Sequence, residues 1–162
     1  MKSNSQRSKT LFLIAGGAYC LLLLYVLFLR RIGADYALTY SEYLIAASNL
    51  IPLKSVWILF TTPVISSSLV LRFLLNFFGN ILLFIPWGIL LPACFVKFRS
   101  FRPFAVLTLF VLVVVESIQL FAMLGSFDVE DILLNIIGAL IGFGVIRDGF
   151  MSQKNHPCDS RD

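Results

Sequence analysis

Histidine occurs once in these 162 residues, at His156 in a polar tail, and cysteine three times, at Cys20, Cys94 and Cys158. A histidine-based triad or metal site is therefore not expected within one chain. Three isolated thiols make neither a zinc spacing nor a disulfide framework. Charge is scarce as well, at 14% of residues. The segments share no internal repeat, which leaves a transporter built from paired repeats without its usual basis. A carboxylate-based site is the enzymatic option that remains.

Apolar residues fill the gap. They make up 59% of the chain, with 16 phenylalanines, against roughly 45–50% in soluble proteins. The sequence predicts an all-α polytopic membrane protein, a small bundle of four transmembrane helices. Each span needs ~20 apolar residues. The apolar runs place them at 11–29, 69–96, 104–124 and 132–146. The first run follows Lys2, Arg7 and Lys9 and ends on Arg30-Arg31, where a signal peptide would carry small residues. It reads as an uncleaved anchor. The connection 30–68 is long and not very polar. Its stretch from Tyr43 to Leu53 is broken by Pro52, which fits an interfacial or re-entrant segment over the mouth of the bundle. The organisation expected is a tail at 1–10, a membrane domain at 11–148 and a polar tail at 149–162.

The net charge of +4 comes from bases at segment ends, so it is read as topology and no nucleic-acid partner is expected. Lys97, Arg99 and Arg102 crowd the second connection, while the third carries Asp128, Glu130 and Asp131 and no base. The positive-inside rule then puts both termini in the cytoplasm. Arg30, Arg31 and Lys54 run against that orientation.

Several polar side chains lie inside the apolar runs. A carboxylate in hydrocarbon costs at least ~3 kcal/mol, so each marks a candidate site. Glu116 and Gln119 neighbour one another at i, i+3. Arg72, Asn76 and Asn80 form a stripe at i, i+4, i+8. At ~100° per residue, Asp128, Asp131, Asn135, Gly138 and Gly142 share an arc of about 80°. By a rise of ~1.5 Å per residue, Glu116 lies roughly 12 Å below a helix end at 124. The three stripes are expected to converge in one layer as a polar pocket open to the outside. The ligand-binding candidates are Asn80, Glu116, Gln119, Asp128, Asp131 and Asn135. Glu116 and Asp131 are the catalytic candidates. Plainer roles exist for many of these residues. Gly138 and Gly142 can serve close helix packing, and Asn76, Asn80 and Gln119 can be interhelical glue. Pro86 can kink its helix with Trp87 packed beside it. Asp128 and Glu130 can cap the fourth helix. Two carboxylates with amides make a weak signature for magnesium or calcium, so no metal or cofactor is expected.

Asn49-Leu-Ile-Pro52, Asn80-Ile-Leu-Leu-Phe-Ile-Pro86-Trp-Gly88, Glu116-x-x-Gln119 and Asp128-Val-Glu-Asp131-Ile-Leu-Leu-Asn135-Ile-Ile-Gly138 together resemble the VanZ-like family. Their order and spacing match over 44–142. Ile136 stands where the family often has threonine, and Leu53 where phenylalanine is common. The resemblance implies a small bacterial membrane protein of the cell envelope. The family's name-giving member confers resistance to teicoplanin, a lipoglycopeptide whose fatty acyl chain anchors it in the outer leaflet. Candidate partners are thus a membrane lipid, a lipid-linked wall precursor or the drug itself. An enzyme acting on such a lipid, with Glu116 and Asp131 as an acid/base pair, is the alternative.

Overall fold

The computed structural model describes the backbone at residues 2–29, 39–62 and 66–154, and the side chains at 10–29, 39–62 and 66–147. Arg30, Arg31, Asp35, His156 and Cys158 lie outside the described residues. Among the described residues four helices are long and apolar enough to cross a membrane: α1 (Lys2–Leu27), α4 (Ser67–Cys94), α5 (Phe101–Phe121) and α6 (Val129–Lys154). The chain is thus an all-α, multi-pass bundle. Much of its surface is large apolar side chains, such as Leu21, Leu75, Val106 and Phe110, as lipid contact requires. α1 begins at Lys2, and α6 is described as far as Lys154.

The central pair is α4 and α6, which run parallel through three glycines. A Cβ at Gly138 would sit 2.1 Å from the Ile81 carbonyl oxygen, one at Gly142 2.1 Å from that of Ile85, and one at Gly88 2.0 Å from that of Ala139. Small residues permit this approach, and in lipid close packing is what drives association. On the other side of α6, Phe104 of α5 stacks on Phe143 with ring centroids 4.5 Å apart. Trp87 Nε1 donates to Thr108 Oγ1 at 3.1 Å, joining α4 to α5. Tyr19 of α1 donates its hydroxyl to the Leu83 carbonyl of α4 at 2.7 Å.

Helix ends follow local chemistry. Ser66 Oγ accepts from Leu69 N–H at 3.3 Å and starts α4 two residues earlier than hydropathy places it. Pro86 and Pro92 both lie within α4. After its end, Arg99 Nε donates to the Pro92 carbonyl at 3.2 Å. α5 stops at Phe121, not 124. Leu124 N–H bonds the Gln119 carbonyl at 2.8 Å and Met123 N–H the Leu120 carbonyl at 3.1 Å, with Met123 at φ 55°. That is a Schellman ending with methionine in the left-handed position usually held by glycine.

The first connection holds α2 (Tyr40–Ala46), β1 (Ser48–Asn49) and α3 (Lys54–Thr61). Glu42 accepts from the Thr39 hydroxyl and amide, and these bonds, the hydroxyl's first, hold its carboxyl below the usual range. β1 pairs in parallel with β2 (Phe127–Asp128), Ser48 opposite Phe127 and Asn49 opposite Asp128. The connection therefore folds back onto the loop that feeds α6.

Candidate functional site

Four acids gather at the end of the bundle where α4 and α6 begin and α1 and α5 finish. Asp128 caps α6. Its Oδ1 accepts from the Glu130 amide at 2.8 Å, and its Oδ2 from Asn49 Nδ2 at 3.0 Å. Glu116 is buried in α5, and its Oε2 accepts from the Asp128 amide at 3.2 Å. Glu130, only 2% exposed, reaches out of α6 to accept from the Ser55 amide at 3.0 Å. Ser55 lies in the first turn of α3, where N–H groups lack intrahelical partners and favour an anion. Asp131 turns the other way, toward α4. Its Oδ1 accepts from Asn76 Nδ2 at 2.9 Å and from Asn80 Nδ2 at 2.6 Å. Bonds to ionised acceptors are roughly twice as strong as neutral ones, which makes these acids fit to pin the loops and helix ends.

The expected constellation is divided. Asn76, Asn80 and Asp131 come together as one cluster between α4 and α6. Glu116 engages the loop before α6, and Gln119 donates through Nε2 to the Leu27 carbonyl at 2.9 Å, joining the end of α1 to α5. Because α5 ends at Phe121, Glu116 lies five residues from the helix end, about 7–8 Å by the helical rise and shallower than the sequence implies. Asn135 is buried one turn below Asp131, and its Oδ1 has no hydrogen-bond partner among the described residues; Asn49 Oδ1 is likewise buried without one among them. A dry orphan acceptor costs about 1–3 kcal/mol, so these two atoms are places where a donor would be welcome.

Sequence reasoning passed over three parts of this end. Glu130 clamps α3 and does not cap α6. Asn49 joins Asp128 across 79 residues. Tyr43, buried at 2% exposure, donates its hydroxyl to the Gly125 carbonyl. The Asn49-to-Pro52 run was the available signal, but nothing in its composition says which loop it meets.

Beside the Asp131 cluster a cleft of about 360 Å³ opens between α3 and α4, lined by Ser55, Ile58, Leu59, Leu69, Arg72, Phe73 and Asn76. Arg72 and Asn76 are exposed on it. Asn76 thus belongs to both features: it lines the cleft and holds the Asp131 carboxylate. The arrangement offers a cation, amides and an acid beside apolar walls, a set suited to an amphiphile with a polar head. Among the described residues no cluster of three or more His, Cys, Asp or Glu side chains could hold a metal ion.

A family model described as VanZ/LLP1 matches residues 17–151, a span that contains every residue of this site. No curated protein and no solved structure matches the chain.

Proposed function

The chain belongs to the VanZ/LLP1 family, and from that membership we propose that it is a protein of the bacterial plasma membrane that protects the cell envelope against lipoglycopeptides such as teicoplanin. The reading places both termini in the cytoplasm, from the bases at Lys97, Arg99 and Arg102. The Asn76–Asn80–Asp131 cluster and its cleft then face outward, at the level where an acyl-anchored drug or a lipid-linked wall precursor resides. The observation that carries it is the Asp131 carboxylate, held by two amide donors in the flank of a membrane bundle beside an open apolar cleft. Acids in such positions are costly and mark sites.

Expression in a susceptible bacterium is expected to raise tolerance to teicoplanin more than to vancomycin, which lacks the acyl anchor. Asp131→Asn keeps an oxygen for both asparagines and removes only the charge, so it should abolish the gain at unchanged protein level. Equal tolerance to both drugs, or full function in Asp131→Asn, counts against the reading.

A further inference from the structure

Arg72 enters no hydrogen bond or ion pair among the described residues, although four acids lie at the same end of the bundle. Those acids are engaged with amides, and the arginine is left on the rim of the α3–α4 cleft. Its depth is informative. α4 has 28 residues, about 42 Å at ~1.5 Å each, against ~30 Å of hydrocarbon. Centred in a bilayer, the helix extends about 6 Å past the hydrocarbon at each end. Arg72 is the sixth residue of α4, so its Cα lies about 7–8 Å from the tip, at the boundary between chains and head groups. There a guanidinium reaches the phosphate layer while its stem stays in apolar surroundings.

The cleft's apolar lining is Ile58 and Leu59 of α3 and Leu69 and Phe73 of α4, the last two within one turn of Arg72. These four side chains stand beside the polar Ser55, Arg72 and Asn76 in the same cleft, and Ile58 is exposed. On the far side of Asn76 stands Asp131, whose Oδ1 accepts from Asn76 Nδ2. One cation on the rim, one acid beyond and apolar walls between define an amphiphile with its anionic group at a fixed height. Arginine pairs with phosphate through two parallel N–H donors.

We infer that the α3–α4 cleft binds a phosphate-bearing membrane lipid, its phosphate on Arg72 and the start of its chain against Ile58, Leu59, Leu69 and Phe73. This deepens the proposed function and rests on its cleft, but it concerns the resident ligand and not the drug.

The test uses the full-length protein purified in a neutral detergent, with dihexanoyl phosphatidylglycerol as the probe and native mass spectrometry as the readout. Binding is expected. Arg72→Gln should weaken it about tenfold, the loss of one charge-assisted bidentate contact. Leu59→Trp, which fills the slot, should weaken it as well, and Arg102→Gln, outside the cleft, should not. Dihexanoylglycerol, which lacks the phosphate, should bind far more weakly. Four results would overturn the inference: unchanged binding in Arg72→Gln, an equal loss in Arg102→Gln, equal binding of dihexanoylglycerol, or competition by inorganic phosphate at the same concentration as the lipid. The assay contains no drug and no cells. Lipid binding can therefore fail while Asp131-dependent tolerance stands, and the reverse.

Discussion

Glu130 shows how one carboxylate can order a distant segment. It stands in the first turn of α6, yet its oxygen serves the first turn of α3 across 75 residues. Glu130→Ala leaves the Ser55 amide without its acceptor and opens a void in a buried position. The expected loss is about 1–3 kcal/mol of stability, read as a lower melting temperature in detergent. Glu130→Gln keeps an acceptor of the same size and should recover at least half of that loss. If Glu130→Ala melts like the parent, the clamp contributes nothing. The pattern of acids was legible in the sequence, and so was the ability of Asp128 to cap a helix. The partners of Glu130 and Glu116 were not legible, because each is a backbone amide, and every residue but proline carries one.

Among the helices, the α4–α6 contact carries the fold through glycine. Gly138→Val and Gly142→Val each drive a side chain into a backbone carbonyl of α4, which cannot retreat without moving the helix. Both should abolish accumulation of folded protein. Gly144 sits on the same helix, where a Cβ would meet none of the described residues within 4 Å, so Gly144→Val should accumulate normally. Membrane levels by immunoblot and a monodisperse peak in gel filtration decide the comparison, and loss in all three variants would remove close packing as the cause. The small-residue face of α6 was readable from i, i+4 spacing. The end of α5 was not. Hydropathy carries the helix to 124, and no glycine marks the stop, because Met123 takes the left-handed position itself. A left-handed residue with a side chain costs about 1–2 kcal/mol, offset here by two closing hydrogen bonds.

At the level of the molecule, orientation decides which compartment the cleft meets. With the basic second connection inside, Ser100→Cys in a cysteine-free background should resist a membrane-impermeant maleimide on intact cells. Ser126→Cys, in the loop beside the acidic cluster, should react. The opposite pattern would turn the cleft toward the cytoplasm and remove the drug from its reach. The same orientation puts α2 and α3 over the outer end of the bundle. Their docking runs through Tyr43, Asn49 and Ser55 to Gly125, Asp128 and Glu130.

By itself the sequence determined the class of the protein, the number of its spans and its family. Those follow from length, hydropathy and ordered short motifs, which are local along the chain. It also determined that Asn76 and Asn80 share a helix face, since helical spacing alone sets that. Only the tertiary structure decided which polar groups meet. Asp131 belongs with Asn76 and Asn80 because glycine packing sets α4 against α6 in one register. Glu116 and Gln119 are drawn instead to the loop before α6 and to the end of α1. The cleft exists because a short helix in a long connection is tied back to the bundle by a carboxylate far along the chain. In a medium without water every buried polar group takes whatever partner the packing brings within about 3 Å, and the packing of distant segments has no local sequence signature.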